Sequence, residues 1–254
     1  GAPVGVVLGW REAEPPESLE VTLAAGDTVL AVDEDTAAAC RAADPRPRVE
    51  VVPNLWNRLH WSLHLHLPPP TAPRALGIPD DVALVVGLGP IDWGGGADQF
   101  VAVAGRVRRA LPDRPVHFAW VGGHPEGPDH FPYRYDTERL GLADALHWCG
   151  ERDDWHELVR RADVVVLPAR RPFAVPYDPT VGWFVAEDRD VPQVFTPLDE
   201  PFAALLDVLE VPVVRFDLPA AEAMTLGRGT AVAYPDTAAM AAAVVDALGR
   251  PRPT

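Results

Sequence analysis

Between Asp81 and Arg109 the chain reads DVALVVGLGPIDWGGGADQFVAVAGRVRR. The apolar run Val82–Val86 is long enough for a fully buried strand and too short for a helix. Gly87 and Gly89 end it, and a turn rich in Gly and Asp follows from Pro90 to Gly96. Phe100, Val101, Ala104 and Val107 then recur at helical spacing. Asp98 falls in the first turn of that helix, and Arg106, Arg108 and Arg109 fall near its end, an order that suits the helix macrodipole. Strand, Gly-rich turn and helix in this sequence are the phosphate-facing unit of a doubly wound α/β sheet. The same pattern also serves as a tight βα connection with no ligand, so the glycines alone leave both readings open.

The rest of the chain repeats the alternation. Val116–Val121, Leu146–Trp148, Asp163–Leu167, Val211–Phe216 and Thr230–Ala233 read as strands. Asp136–Leu140, Trp155–Ala162, Phe202–Leu209 and Thr237–Leu248 read as helices, with Asp153 or Asp154 capping the second. Upstream, Val4–Leu8, Thr28–Val32 and Val49–Val52 read as strands and Ala37–Ala43 as a helix, too few elements for a complete sheet domain. Leu55–Pro79 carries Trp56, Trp61, His60, His64, His66 and the run Pro68–Pro70, and reads as a half-buried connector. The three histidines lack an acidic or Cys companion, so no metal site is expected. The expected organisation is residues 1–67 as partial α/β elements with a linker, and 68–254 as one sheet domain. Residues 174–199 break the rhythm with Pro176, Pro179, Pro192, Pro197, Trp183, Phe184 and Phe195. A loop of this length predicts an ordered lid beside a cleft or a surface for a protein partner.

Composition narrows the function. The net charge is -15, and all 22 basic residues are Arg. An acidic surface disfavours nucleic acid and anionic membranes as partners. Arg without Lys, with 29 Pro, suggests a GC-rich bacterial source. Cys40 and Cys149 form no framework, which points to a reducing cytoplasm. No apolar run approaches the ~18 residues of a membrane span.

Several short motifs, in order from about residue 33 to 248, resemble the retaining glycosyltransferases of the GT-B fold, family four. They are Asp33–Thr36 with Val51–Val52–Pro53–Asn54; GLGPIDWGGGADQF from Gly87 to Phe100; FAWVGG from Phe118 to Gly123; Leu140–Gly141–Leu142 with Leu146–Gly150; ADVVVLP from Ala162 to Pro168; and Val211–Asp217 with Glu222 and Pro235–Asp236. The resemblance implies a Rossmann-like parallel sheet flanked by helices, the C-terminal, donor-binding half of such an enzyme. It implies transfer of a sugar, with retention, from a nucleotide-diphosphate sugar to an acceptor, with no cofactor.

The site residues it implies are Gly94, Gly95, Gly122, Trp148, Arg170, Arg171, Glu200 and Asp207. Where the family commonly has Asp-Trp-Arg-Lys-Gly, with the two cations on the donor pyrophosphate, this chain has Asp92–Trp93–Gly94–Gly95–Gly96. Arg170 and Arg171 are the candidate replacements. Pro172–Phe173 stands where the family has its Glu-Pro-Phe-Gly-like turn, and a closer copy, Glu200–Pro201–Phe202–Ala203 with Asp207, follows the insertion. Glu200 would face the sugar and Asp207 the ribose hydroxyls. The missing cations and displaced carboxylates equally suit an inactive glycosyltransferase-like binding or assembly module.

Overall fold

The computed structural model describes residues 4–7, 28–31, 34–43, 45–46, 48–51, 67–171, 199–225 and 227–250. The three histidines of the connector, the Val52–Asn54 turn, Pro172–Phe173 and nearly all of 174–199 lie outside these residues. The chain divides into two compact units, 1–66 and 67–254.

The first unit holds a three-stranded parallel sheet of β1 (Val4–Val7), β2 (Thr28–Ala31) and β3 (Arg48–Val51), in that spatial order. The helix α1 (Glu34–Ala43) makes the crossover from β2 to β3, and Ala37 and Cys40 on it are buried.

The second unit begins with a single-turn helix, α2 (Ala72–Ala75), which the Glu157 carboxylate ties down by accepting from the backbone N–H of Thr71 and Ala72 at 2.8 and 2.7 Å. Six strands follow: β4 (Ala83–Leu88), β5 (Val116–Val121), β6 (Leu146–Gly150), β7 (Val164–Leu167), β8 (Val213–Phe216) and β9 (Thr230–Val232). All are parallel, in the order β6-β5-β4-β7-β8-β9. Successive connections therefore run outward on one side of β4 and on the other side of β7, the doubly wound arrangement. The helices are α3 (Ala97–Ala110), α4 (Phe131–Arg139), α5 (Trp155–Arg161), α6 (Asp199–Leu209), α7 (Pro219–Thr225) and α8 (Thr237–Leu248).

Every residue of β4 is buried, as a central strand covered on both faces requires. One face carries Val85, Phe118, Trp120, Val164, Val166 and Val214, and α3 and α8 close over it. Phe100 of α3 meets Phe118 edge-on at 6.3 Å and Trp120 at 5.1 Å between ring centroids. A Cβ on Gly87 would lie 2.7 Å from both Phe100 and Trp120, so the strand needs glycine there to admit two rings. The opposite face carries Leu84, Val86, Val165 and Leu167, also buried, and α5 packs against β4. Among these helices, Trp155 of α5 meets Phe202 of α6 at 6.1 Å.

The elements differ from the sequence reading at a few ends. The helix expected at Asp136–Leu140 begins at Phe131, with Pro132 in its first turn, where a missing N–H costs nothing. β8 starts two residues later than expected because Pro212 has no N–H for the ladder. Asp154 occupies the cap position of α5 without capping it; its carboxylate takes the Arg152 guanidinium instead. Asp236, by contrast, caps α8 by accepting from Ala238 and Ala239.

Candidate functional site at the carboxyl edge

β4 and β7 are neighbours at the point where the strand order reverses. Ligands of open α/β sheets bind outside the carboxyl ends of the strands at this crevice. The turn after β4, residues 89–96, and the segment after β7, residues 168–171, meet there.

Asp92 shapes the turn. Its Oδ1 accepts from the backbone N–H of Gly95 at 2.6 Å, and its carbonyl accepts from Gly96 at 3.2 Å. Gly96 is left-handed, φ 85°, and leads directly into α3. The segment after β7 lies across this turn. The Gly94 carbonyl accepts from the N–H of Arg170 at 2.9 Å and of Arg171 at 3.3 Å. A Cβ on Gly96 would sit 2.3 Å from the Pro168 carbonyl oxygen, and one on Gly94 2.0 Å from Arg171 Nε. A Cβ on Gly95 would sit 2.3 Å from the Pro90 carbonyl oxygen. Gly96 thus lets the backbone after β7 approach the turn, Gly94 leaves room for the Arg171 side chain, and Gly95 lets the turn fold tightly on its own Pro90.

The two arginines have different fates. The Arg170 side chain is 5% exposed and donates to both Asp98 carboxylate oxygens at 2.7 Å. Its Nε donates to the Tyr234 hydroxyl at 3.0 Å, and a further N–H goes to the Trp93 carbonyl. The guanidinium lies over the Trp93 ring at 4.7 Å and within 5.5 Å of the Tyr234 ring centroid. Burial pushes the Asp98 carboxyl up, but the Arg170 guanidinium and Gln99 more than offset it, leaving Asp98 below the ordinary carboxylate value. Bonding to Asp98 holds Arg170 above its own ordinary value. Arg171 pairs with Asp92 and keeps 62% of its side chain exposed.

Gly122 and Trp148 flank this place. Gly122 ends β5 with φ 111°, donates to the Gly150 carbonyl at 2.8 Å, and would put a Cβ 2.6 Å from the Gly89 carbonyl oxygen. Trp148, on the edge strand β6, is half-buried against His130 at 4.6 Å, Tyr133 at 6.3 Å and Trp120 at 6.4 Å. Trp120 Nε1 donates to the Gly89 carbonyl at 3.0 Å, which ties this aromatic group to the start of the turn.

The carboxylates do not all join them. Glu200 lies in the first turn of α6, and nothing is described of its side chain. Asp207 lies in the last turn of α6, beside the entry to β8, which is the amino edge of the sheet, and it pairs with Arg228. The structure therefore gathers Gly94, Gly95, Gly122, Arg170 and Arg171 at one edge, with Trp148 beside them, and puts Asp207 toward the other. Trp93, Asp98 and Tyr234 complete the turn. Trp93 and Asp98 are visible in the motif itself, but nothing local ties Tyr234 to Arg170.

Among the described residues there is no group of three or more His, Cys, Asp or Glu able to hold a metal ion, and no helix long and apolar enough to cross a membrane.

Compared by sequence, the chain matches no protein-family model and no curated protein. Compared by structure, it is similar to WaaG, a glycosyltransferase involved in lipopolysaccharide biosynthesis, with a TM-score of 0.53, 16% identity, and coverage of 87% of this chain and 54% of that one. It is similar to a UDP-forming α,α-trehalose-phosphate synthase from Burkholderia xenovorans (TM-score 0.55, 13% identity, 92% and 56% covered). An E. coli trehalose-6-phosphate structure bound with UDP-2-fluoro glucose gives 0.54, 14%, 92% and 55%. The chain thus has the Rossmann-like α/β fold seen in GT-B glycosyltransferases, and spans a little over half the length of these structures. Identities this low carry the fold and leave family four and retention to function.

Proposed function

We propose that this chain is the donor-binding part of a glycosyltransferase, holding a nucleotide-diphosphate sugar at the carboxyl edge between β4 and β7 and transferring its sugar with retention. The observation that carries the reading is the meeting of the Gly94–Gly96 turn with Arg170–Arg171 at the point where strand order reverses. In this reading the diphosphate lies against Gly94 and Gly95, with Gly122 at its flank and Trp148 toward the base. Arg171, exposed and held by one carboxylate, turns from Asp92 to the leaving diphosphate and stabilises its charge. Arg170 fixes the turn through Asp98, and Glu200 faces the sugar. The fold of neighbours such as the one bound with UDP-2-fluoro glucose supports a nucleotide-sugar donor. Residues 174–199 are a candidate surface for a protein partner.

Calorimetric titration with UDP, GDP and ADP tests the reading. Binding of one of them, weakened in Arg171→Gln, is the expected result. Absence of binding to all three overturns it.

A second reading, a glycosyltransferase-like module without turnover, is favoured by a specific observation. Asp92, Asp98, Arg170 and Arg171 neutralise one another at the turn, so the site offers a diphosphate no net positive charge. Nucleotide binding without sugar transfer or donor hydrolysis would support it.

A further inference from the structure

The amino edge of the second unit holds a basic concavity that the donor site does not use. It has a volume of about 550 Å3 and is lined by Gly105, Arg108, Arg109, Pro112, Arg139 and Leu140. α3 and α4 both end there, so their last turns supply all three arginines. No acid lines it. In a chain of net charge -15, such a lining is against the trend of the surface.

The three guanidinium groups are not equivalent. Arg108 is committed: it donates to both Asp144 oxygens at 2.7 and 3.0 Å and to the Gly141 carbonyl at 2.8 Å. Among the described residues Arg109 uses only its Nε–H, toward the Gly105 carbonyl of its own helix at 3.0 Å. Arg139 has no hydrogen bond or ion pair among the described residues, and both Arg109 and Arg139 are exposed. Arginines in a last turn ordinarily answer the helix macrodipole. Two helix ends bring roughly -0.5 each, about one negative charge against the two uncommitted guanidiniums. A positive surplus remains. Gly105 keeps the floor of the concavity open, since a Cβ there would reach Leu140 Cδ1 at 3.2 Å. Leu140 and Pro112 give the site an apolar side, so it suits an anion carried on an organic body.

We infer that this concavity binds a phosphate group, with Arg109 and Arg139 donating to its oxygens and Arg108, braced by Asp144, holding the wall between them. Guanidinium forks match phosphate geometry, and two of them on one group exceed what a single surface ion pair provides. The phosphate can belong to a soluble phosphorylated molecule or to a lipid headgroup. Tyr135, exposed one turn before Arg139, would meet the interface in the second case.

The test uses the full chain, with inorganic phosphate followed by NMR at the arginine Nε–H resonances, and flotation with vesicles of phosphatidylglycerol against phosphatidylcholine. Arg109→Gln/Arg139→Gln should weaken phosphate or phosphatidylglycerol binding at least about tenfold, as removal of a charge-assisted hydrogen bond does. Arg74→Gln, which removes an exposed cation paired with Asp80 and belongs to neither site, should change it less than about twofold. Unaltered thermal unfolding of the double variant shows that the loss is local. Binding to free phosphate alone identifies a soluble ligand, and binding to phosphatidylglycerol vesicles alone identifies a headgroup; either supports the site. Failure of both probes to bind, or binding that depends on Arg74 and ignores the double substitution, overturns it. Because the nucleotide titration reads the carboxyl edge, failure there leaves this outcome untouched.

Discussion

Arg170 reaches back across the sheet to Asp98, 72 residues earlier, and both terminal nitrogens of its guanidinium bond the carboxylate at 2.7 Å. This pair fastens the segment after β7 to the first turn of α3. Replacing Asp98 with Asn leaves a buried guanidinium without its counter-ion. Asp98 keeps about a third of its side chain in water, which moderates the loss. The expected cost is about 1–3 kcal/mol at pH 7, read by urea denaturation. The pKa of Asp98 is depressed in the folded state, so its contribution is present above the unfolded carboxyl value of about 3.9 and is lost as pH falls through the folded value. The difference between wild type and Asp98→Asn should therefore shrink below about pH 4. A difference that persists unchanged at pH 3 would mean that the pair is not its source.

The glycine turn yields a second prediction. Rebuilding the basic pair of the resembled family at Gly94 and Gly95 is unequal at the two positions. At Gly94 the obstacle is the Arg171 side chain, which is exposed and can move. At Gly95 and Gly96 the obstacle is backbone carbonyl oxygen, 2.3 Å away in each case, and Gly96 is also left-handed. Gly94→Arg should fold near normally and tighten diphosphate binding. Gly95→Lys and Gly96→Ala should each lose more than about 2 kcal/mol of stability. Thermal scans of the three variants decide the matter: Gly96→Ala as stable as Gly94→Arg would contradict the close approach of Pro168, and Gly95→Lys as stable would contradict the tight fold of the turn on Pro90.

How far the sequence reveals this site follows from how local each interaction is. The strand–turn–helix unit of 81–109 is readable because an apolar run, glycines and a helical period lie within thirty residues. Arg170 and Arg171 stand out as the cations right after ADVVVLP, and they do lie on the turn. That Asp98 and Asp92 neutralise them is not readable, since these pairs join positions 72 and 79 residues apart. The glycines look the same whether they admit a phosphate or another backbone. The seven-residue step from Glu200 to Asp207 gives two turns of helix and nearly one face. It does not say that the second turn carries Asp207 away from the Gly94–Gly96 turn toward the amino edge. That depends on where α6 ends and β8 begins, and Pro212 helps to set it.

His117 and His147 give a pH prediction. They stack across β5 and β6 with ring centroids 5.2 Å apart, and Nδ1 of the first lies 2.9 Å from Nε2 of the second. One proton serves that hydrogen bond, and two would repel. Burial lowers both pKa values; Asp144 raises and Arg108 lowers that of His117, and His117 lowers that of His147. The unfolded chain, near 6.5, therefore takes up protons first. Stability from the neutral pair is whole above about pH 6.5 and is lost as pH falls toward the lowered folded values. Wild type should lose on the order of 1 kcal/mol between pH 7.5 and 5.5, and His117→Gln/His147→Gln less. Equal losses in urea midpoints for the two proteins would rule this out.

The last prediction separates the two edges of the sheet. The resemblance implies Asp207 as the acid for the ribose hydroxyls, yet it pairs with Arg228 beside the entry to β8. Arg171 stands at the turn between β4 and β7. If the nucleotide lies at the carboxyl edge, the two substitutions act on different properties. Arg171→Gln removes an exposed cation whose pair with Asp92 is worth little to folding, about 0–1 kcal/mol. It should leave the denaturation midpoint nearly unmoved and weaken nucleoside diphosphate binding about tenfold, the effect of removing one charge-assisted hydrogen bond. Asp207→Ala removes a partly buried ion pair, costs about 1 kcal/mol or less of stability, and leaves nucleotide affinity as it was. Calorimetry and denaturation on the same two proteins read both properties. The reverse pattern, with weakened affinity in Asp207→Ala and full affinity in Arg171→Gln, would move the ligand to the amino edge and remove the carboxyl-edge site from the proposal.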